Sequence, residues 1–291
     1  KSKAENEAGA HDTYWCRIGV LRNTMRDSPS QTALTVALSL LSLSAHPSHK
    51  GAVESDYADQ LVKLLCASGQ MTSIGAWVWR NPWTARGIRR SFDLAGLPGQ
   101  FAAFGTRKRF FETQARKSIA NGAAQVLVLG AGYDLLCQRL GPEFPDVSFF
   151  EVDHPATSKA KRQGVESIGR PPNVGFVAAD FAVTSLAKRL AEEPNWDASA
   201  MSFVAAEGLT QYLPERAVRE MLDAVSRETG TGTEFALTFV GWREAENRAE
   251  AGPKTDKTLR RLAARGEPWL WGCERSNFGA FLKNTAWEIL V

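Results

Sequence analysis

The amino-acid sequence predicts a doubly wound α/β fold, in which helices cover both faces of a parallel sheet. From residue 125 onward, short apolar runs alternate with helical patterns, and most of the runs lack the alternation of a half-exposed strand. Continuous apolar strands separated by helices are typical of parallel sheets buried on both faces. The runs that we interpret as strands are 125–129, 147–152, 174–178, 200–205, 234–240 and 287–291.

The residues before the first strand have a different pattern, which predicts a helical N-terminal extension or lid at 1–124. We expect it to pack against the sheet domain of residues 125–291, in which a polar, charged stretch at about 241–272 is interpreted as an insertion. The clearest helix of the sheet domain opens at Pro214 and stops at Gly230. The extension contains predicted helices near 31–45 and 56–68, a Trp-rich segment at 76–83, and loops at 45–51 and 94–105.

Composition and charge limit the class of protein. The 291 residues are 44% hydrophobic and 23% charged, which excludes disordered, collagen-like and disulfide-scaffold proteins. The net charge of +3 conceals an asymmetry, because residues 1–124 carry 16 Lys and Arg against 9 Asp and Glu, whereas residues 125–291 carry 19 against 23. Most of the early excess is a basic strip from Arg80 to Lys117, with nine basic residues and two acidic ones.

Cysteine spacing and hydropathy predict a cytoplasmic protein. Cysteines stand only at positions 16, 66, 137 and 273, with no CxxC pair and no histidine at metal-ligand spacing, so we expect no metal site and no disulfide framework. The longest apolar stretch, 32–45, is too short to span a bilayer and begins too late for a signal peptide. We therefore expect no membrane partner.

The first two predicted strands end in residues that suit a nucleoside ligand, which binds beyond the carboxyl ends of the strands in open α/β sheets. The first is followed by Gly130, Ala131 and Gly132, whose glycines let the backbone approach a ligand closely, although a tight turn would also use them. Asp153 follows Gly132 by 21 residues, near the spacing of an acid that binds a ribose hydroxyl. Its alternative role is to cap the following helix.

The third and fourth predicted strands each end near a further carboxylate. Asp180 could accept a hydrogen bond from an exocyclic amine, and Phe181 could pack beside a base. Their alternative roles are a helix cap for Asp180 and a core residue for Phe181. Glu207 follows the fourth strand. The chain has no GxxxxGK(S/T) phosphate loop, which favours a nucleoside cofactor without phosphate. S-Adenosyl-L-methionine fits, and the cluster 107–109 could supply the cation for its carboxylate.

These motifs resemble the leucine carboxyl methyltransferase family of class I methyltransferases, which use S-adenosylmethionine and have a Rossmann-like sheet. The similar segments are RKRFFE at 107–112, QVLVLGAGYD at 125–134, FEVDHP at 150–155 and EGLTQYL at 207–213. Weaker similarities lie at 32–33, 56–58 and 266–269. The family also includes carboxyl O-methyltransferases of polyketide pathways.

The resemblance implies a role for each matching residue. Arg107 would pair with the cofactor's carboxylate, and Gly130 and Gly132, with Ala131 between them, would form the backbone cradle. The further cofactor-binding candidates are Asp153 at the ribose, Glu151 at the same strand end, Asp180 and Phe181 beside the adenine, and Glu207 near the cofactor's amino group. The sequence departs from the family at Leu135-Leu136, where a Thr-Arg pair is usual, and at 36–40, which lacks an Arg found in bacterial members.

The resemblance implies O-methylation of a carboxylate on a small molecule or peptide. Such a carboxylate needs no general base, so positioning and desolvation would supply most of the rate. An Arg or Lys of the strip from Arg80 to Arg109 would hold the substrate, and Tyr212 would form part of the wall around it. Trp77, Trp79 and Trp83 would either join that wall or pack onto the sheet.

Three other functions stay open. A hydroxyl acceptor would need a base such as His154 or Glu207. An RNA-binding protein or RNA methyltransferase would use the basic strip, but the acidic remainder of the chain disfavours nucleic acid. The last alternative is a catalytically silent scaffold.

Overall fold

A five-stranded parallel sheet forms the centre of the molecule, and it confirms the predicted fold class. The computed structural model describes residues 28–45, 53–94, 99–181, 183–243, 248–249 and 255–290. The strands of the sheet are β1 (Gln125–Leu129), β2 (Ser148–Asp153), β3 (Val174–Ala178), β4 (Ser202–Ala206) and β5 (Glu234–Leu237). They are arranged in the order β3-β2-β1-β4-β5, and every neighbouring pair is parallel.

The strand order reverses between β1 and β4. From β1 the chain proceeds outward to β2 and β3, and it then crosses back to place β4 on the other side of β1. The loops after β1 and β4 therefore leave the sheet in opposite directions and open a crevice between them, the usual position of a ligand in such sheets.

Helices precede, separate and follow the strands. Those of the extension are α1 (Gln31–Ser44), α2 (Ser55–Ala67), α3 (Ser73–Arg80), α4 (Pro82–Leu94) and α5 (Gln100–Ala120). Those that follow β1 are α6 (Leu136–Leu140), α7 (Pro155–Ile168), α8 (Leu186–Ala191), α9 (Glu215–Arg227), α10 (Thr255–Ala264) and α11 (Phe278–Leu282). No helix in the described ranges is both long and apolar enough to cross a membrane.

Each face of the sheet is covered by its own hydrophobic cluster. On one face, Phe111 and Ala115 of α5 and Leu140 of α6 pack against β1 and its neighbours. On the other face, α8, α9 and α11 cover the sheet, and the apolar spacing of α9 explains its position, since Val218, Leu222 and Val225 are all buried. The α/β/α layers that result position the strand ends without exposing the sheet.

A third cluster joins α1 and α2 of the extension to the residues after β1. Leu40, Leu61 and Leu64 are fully buried there with Leu135 and with Val165 of α7. The helices α2 and α7 approach so closely that a Cβ on Gly164 would lie 2.6 Å from the Leu64 carbonyl oxygen. The division of the chain into an extension and a sheet domain stays a prediction.

Two local predictions are wrong. Residues 287–290 form no strand; instead the Trp287 ring packs edge-on against Phe235 at 5.5 Å, and its Nε1 donates to the Leu222 carbonyl oxygen at 2.9 Å. Trp287 therefore covers the sheet rather than extending it, while Ile289 and Leu290 are 56% and 70% exposed. The predicted loop at 94–105 is also too long, because α5 begins at Gln100 after Gly99, which has a left-handed φ of 75°. The loop at 45–51 lies almost wholly outside the described residues.

The predicted insertion rejoins the sheet domain through backbone contacts. It contains a two-stranded antiparallel ribbon, β6 (Trp242–Arg243) with β7 (Arg248–Ala249), followed by α10. Gly241 forms a parallel bridge with Cys273, and the Leu270 amide donates to the Gln211 carbonyl oxygen at 2.6 Å. The insertion is thereby held over the end of β4.

Candidate functional site

A cavity of about 620 Å³ lies beyond the carboxyl ends of the strands, where the strand order reverses. Its volume is typical of small-molecule sites, which occupy about 300–1,000 Å³. Residues after all five strands line it, and α1, α4, α5 and α10 complete the wall. The predicted site residues that line it are Arg107, Gly130, Ala131, Gly132, Asp153, His154, Asp180, Phe181, Glu207 and Tyr212.

The turn after β1 requires glycine at two positions. Gly130 and Gly132 have φ values of 66° and 50°, in the left-handed region that favours glycine. Space gives a second reason, since a Cβ on Gly130 would lie 3.0 Å from Leu209 Cδ1, and one on Gly132 would lie 3.0 Å from Ala33 Cβ. The turn thus leaves backbone exposed to the cavity between two packed neighbours.

Asp153 holds the end of β2 to this turn. Its Oδ2 accepts from the Gly132 amide at 2.5 Å, and its Oδ1 accepts from the His154 amide at 2.6 Å. Burial raises the pKa of the Asp153 carboxyl, and the two amide hydrogen bonds oppose that rise. A carboxylate has about four acceptor positions, so each oxygen retains a lone pair for a ligand.

His154, rather than Asp153, caps the helix that follows β2. Capping this helix was the alternative role predicted for Asp153. Its Nδ1 accepts from the Ala156 amide at 3.4 Å, so the N-cap of α7 is His154. Its Nε2 lies 3.9 Å from Oδ2 of Asp180, which follows β3. Both ring nitrogens therefore face partners of this chain.

An ion-pair network joins α5 to the ends of β1 and β4. Arg107 Nε lies 2.9 Å from Glu207 Oε1, and Lys108 Nζ lies 2.8 Å from Glu207 Oε2. Lys108 also pairs with Asp134 of the glycine turn. Each of the two adjacent cations has its own partner, so the network as a whole is electrically neutral.

Burial and mutual attraction set the protonation states in this network. Burial alone would lower the pKa of Lys108, but Asp134 and Glu207 beside it raise the pKa above the ordinary value of a lysine. Burial likewise acts to raise the pKa of Asp134, yet Lys108 holds it below its usual range. Both groups are charged at neutral pH as a result.

Sequence reasoning identifies Arg107, Glu207 and, within the cluster 107–109, Lys108, but it assigns no role to Asp134 and does not predict which of these residues pair. Lys108 and Asp134 both lie inside the segments that resemble the family, so their position was a signal, but nothing in one sequence indicates that α5 contacts the turn after β1. Gln100 and Phe104 of α5 also line the cavity, and the Arg107 guanidinium lies 4.9 Å from the centre of the Phe104 ring.

Glu151 does not line the cavity. Its side chain points into the protein from β2 and forms an ion pair of 2.6 Å with Lys161 of α7, with both side chains only 2% exposed. Burial raises the pKa of Glu151, although Lys161 opposes that rise. The structure thus separates Glu151 from Asp153: Asp153 is the last residue of β2, at the cavity, whereas Glu151 lies two residues inside the strand and is paired with Lys161.

Tyr212 lies on the cavity wall below the insertion. It ends a short 3-10 helix at Thr210–Tyr212, and its hydroxyl group is beside Trp269 and Thr32. Burial raises the pKa of the Tyr212 phenol, which is therefore neutral at neutral pH.

Glu267 connects the insertion to the start of α1, and sequence reasoning does not assign it. Its Oε1 accepts from Ser30 Oγ at 2.8 Å and from the Gln31 amide at 3.1 Å, while its Oε2 accepts from the Thr32 amide at 3.0 Å. A carboxylate at a helix N-terminus satisfies amides that have no partner within the helix. Two of the three weaker similarities to the family, at 32–33 and 266–269, are thus in direct contact.

The substrate wall differs from the prediction. Trp77, Trp79 and Trp83 do not line the cavity; Trp79 packs with α1 and α2, whereas Trp77 and Trp83 are 62% and 81% exposed. Of the cations in the basic strip, only Arg107 and Lys108 line it. Leu135 and Leu136, which replace a polar pair of the family, are buried in the core rather than at the cavity.

Two arginines that sequence reasoning does not identify line the cavity from the insertion. Arg261 and Arg265 lie one turn apart on α10 and beyond its end. Only their placement in the fold brings them near the strand ends, because the insertion is distant in sequence from the glycine turn.

Comparison with known proteins identifies the family. The model of the leucine carboxyl methyltransferase family matches residues 37–226, which is more than half of the chain. A protein of Mycolicibacterium gilvum is 24% identical over 189 residues, which are 63% of this chain and 61% of that protein. A protein of Mycobacterium ulcerans is 24% identical over 203 residues, which are 68% of this chain and 64% of that protein. Both carry the name "Putative S-adenosyl-L-methionine-dependent methyltransferase".

A solved structure supports the fold alone. The crystal structure of a DUF574 family protein from Streptomyces avermitilis aligns with a TM-score of 0.50 at 13% identity, covering 76% of this chain and 80% of that one. The present chain spans less than two thirds of the length of the two mycobacterial relatives.

Proposed function

We propose that this chain, which belongs to the leucine carboxyl methyltransferase family, is an S-adenosylmethionine-dependent methyltransferase that methylates a carboxylate of a small molecule or peptide. The family match carries the proposal, because it includes the glycine turn, Asp153 and Glu207, all of which line one cavity. The names of the two mycobacterial relatives agree with the cofactor.

The glycine turn and Asp153 fit a nucleoside cofactor. The turn offers backbone that no side chain covers, and the Asp153 carboxylate keeps lone pairs for two ribose hydroxyls while its amide bonds fix its orientation. Asp180 and Phe181 line the adjoining part of the cavity, where an adenine would lie. These residues bind and orient the cofactor.

Arg107 fits the cofactor's carboxylate. Its Nε is engaged by Glu207, which leaves the two Nη groups of its planar guanidinium for a second carboxylate. Glu207 holds the guanidinium in place, and Lys108 compensates the remaining charge of Glu207. The site can therefore accept the zwitterionic end of S-adenosylmethionine without leaving a buried charge unpaired.

The chemistry needs little from the protein beyond positioning. When bound, S-adenosylmethionine supplies a methyl group whose bond to sulfur breaks as a bond to the acceptor oxygen forms, leaving a neutral thioether and an ester. A carboxylate acceptor releases no proton in this step. The walls of the cavity exclude water and align the acceptor, which are the contributions that such a reaction requires.

The surroundings of His154 favour a carboxylate over a hydroxyl acceptor. His154 is the only histidine in the described part of the chain, and its Nδ1 lone pair is directed at the Ala156 amide. The neutral ring then carries its proton on Nε2, facing Asp180. In this arrangement no imidazole lone pair is directed at an acceptor, as a general base would require.

Replacement of Asp153 tests the cofactor site. We expect Asp153→Asn to weaken binding of S-adenosylhomocysteine by roughly 10- to 100-fold, since charge-assisted hydrogen bonds contribute about 1.5–3 kcal/mol. Isothermal titration calorimetry measures this, with thermal unfolding of the unliganded variant as a check on its fold. The matched control is Asp146→Asn, which removes the same charge at an exposed position away from the cavity.

The acceptor class is tested with the unmodified protein. Carboxylic acids and hydroxylated analogues of the same size are incubated with isotopically labelled S-adenosylmethionine, and the products are identified by mass spectrometry. Ester formation supports the proposal. Formation of ethers alone would contradict the carboxylate acceptor and support the hydroxyl alternative. An Asp153→Asn variant that binds S-adenosylhomocysteine as tightly as the parent would contradict the role of Asp153 in cofactor binding.

A further inference from the structure

The insertion places two cations at the cavity. Arg261 and Arg265 are four residues apart, so they lie on the same side of the chain as α10 ends. Both line the cavity, both are exposed, and neither has a side-chain hydrogen bond or ion pair within the described ranges. Arg260, the residue before Arg261 on α10, does not line the cavity.

The other charges of the cavity do not account for these arginines. Arg107 and Lys108 have Glu207 and Asp134 as partners. Glu267, the carboxylate nearest to them in sequence, is directed at the start of α1, where it accepts from amides and hydroxyl groups. The two guanidinium groups therefore add a local positive charge that no carboxylate in the described residues pairs with.

The position of the arginines separates them from the cofactor residues. Gly132, Asp153 and Asp180 lie beyond β1, β2 and β3, which form one half of the sheet. The insertion instead is tied to the end of β4 through the Leu270–Gln211 hydrogen bond and to the end of β5 through the Gly241–Cys273 bridge. The arginines are thus on a segment tied to the ends of β4 and β5, and neither is among the residues assigned to the cofactor.

Exposure distinguishes the arginines from the reaction centre. Methyl transfer to a carboxylate is fastest where water is excluded, whereas Arg261 and Arg265 are open to solvent. They are placed to contact the end of the acceptor that is remote from the transferred methyl group. Two guanidinium groups one turn apart can hold one carboxylate through parallel N–H···O bonds.

We propose that Arg261 and Arg265 bind a second anionic group of the acceptor, so that the substrate is a dicarboxylic acid or an acid of equivalent charge. The inference rests on the proposed function. It assigns the insertion a role in substrate selection, in which one carboxylate is methylated while the other is held at the rim.

Short dicarboxylates and their monomethyl esters test this inference. Succinate, glutarate and adipate each have a monomethyl ester that keeps one reactive carboxylate and lacks the second charge. For the parent protein we expect a KM about tenfold lower for the best dicarboxylate than for its monoester, with similar kcat. The double variant Arg261→Gln with Arg265→Gln should remove that difference by raising KM for the dicarboxylate alone.

Two controls accompany the variant. Arg260→Gln removes a charge from the same helix outside the cavity and should leave the preference unchanged. Affinity for S-adenosylhomocysteine, measured by calorimetry, should be the same in all three proteins, because no residue assigned to the cofactor is changed. Added salt should reduce the preference in the parent protein, since exposed charges are screened.

The outcomes separate this inference from the proposed function. Methylation of mono- and dicarboxylates with equal KM, or a preference that survives the double substitution, overturns the inference and leaves the proposed function standing. If no acid is methylated, the proposed carboxylate acceptor is contradicted. Calorimetry of the same acids with protein saturated by S-adenosylhomocysteine then decides the inference: tighter dicarboxylate binding to the parent than to the double variant supports it, and equal binding overturns it.

Discussion

At the scale of single residues, the pair Glu151–Lys161 is the most deeply buried charge in the described sheet domain. Its atoms lie 2.6 Å apart between β2 and α7, with both side chains 2% exposed. Removing one partner of such a pair leaves an uncompensated charge, whereas replacing both by apolar groups is often neutral. The pair therefore constrains which single substitutions the fold tolerates without adding much net stability.

We predict that Lys161→Met lowers the free energy of unfolding by about 3–5 kcal/mol, and that adding Glu151→Leu restores most of the loss. Burial already raises the pKa of Glu151, so the folded protein binds this proton more tightly than the unfolded chain does. The stability contributed by this group then falls as pH rises from the unfolded pKa through the folded one. The loss in Lys161→Met should accordingly be larger at pH 7 than at pH 5.

Urea unfolding at the two pH values measures this. The control is Lys159→Met, an exposed position on the same helix, which should change stability by less than about 0.5 kcal/mol. A double variant less stable than the single one would show that the ion pair stabilises the fold outright.

Some residues of the candidate site could be predicted from the sequence and others could not, for a physical reason. Asp153 was identifiable because its distance from Gly132 follows from the length of a β-α-β unit. Glu151 is also a carboxylate near the same strand end, but it lies inside the strand, and its ion pair with Lys161 of α7 keeps it away from the cavity. Lys108 and Asp134 pair because α5 contacts the turn after β1, and a single sequence does not show which elements are in contact.

At the scale of elements, the contact between α2 and α7 depends on the absence of a side chain at one position. Gly164 lies in the interior of α7, where glycine destabilises a helix by about 0.5–1 kcal/mol relative to alanine. The close approach to the Leu64 carbonyl oxygen accounts for the glycine. Because α7 begins directly after Asp153 and His154, this packing also supports the position of the site.

We predict that Gly164→Ala destabilises the protein by about 1–3 kcal/mol, since its Cβ would force α2 and α7 apart. Gly87→Ala is the opposite case: Gly87 also lies within a helix, and its Cβ would have no neighbour within 4 Å. That substitution should stabilise the protein by about 0.5–1 kcal/mol. Thermal and urea unfolding compare the two, and equal effects would exclude steric contact as the cause.

Elements with a strong periodic pattern were predictable, and those defined by tertiary packing were not. The first five strands follow from continuous apolar runs. The run 287–290 is also largely apolar, yet only Trp287 packs, against Phe235 and α9, whereas Ile289 and Leu290 are exposed. Hydrophobicity alone therefore predicts neither a strand nor burial there.

At the scale of the whole molecule, Glu267 joins two segments that are 235 residues apart. The cavity is closed on one side by this contact, because both α1 and residues 265–269 form its wall. The opposite charges of the two halves of the sequence also meet at the cavity. Arg107 and Lys108 of the basic half pair with Asp134 and Glu207 of the acidic half. The two halves of the sequence share one site.

We predict that Glu267→Gln lowers the free energy of unfolding by about 1–2 kcal/mol, because a neutral amide is a weaker partner for the N-terminal amides of α1. It should also weaken acceptor binding more than cofactor binding, as the contact lies above Tyr212. Urea unfolding and KM for each substrate measure these effects. Glu288→Gln, at an exposed position, is the control; equal losses in both variants would contradict the role of the contact.

The distribution of tryptophan between the cavity and the surface makes the protein its own optical reporter. Trp269 lines the cavity, whereas Trp77 and Trp83 are open to solvent. A water-borne quencher such as iodide reaches the exposed indoles first, so their emission can be suppressed while that of the less exposed tryptophans, Trp269 among them, persists. Occupancy of the cavity can then be followed by fluorescence, with no label attached.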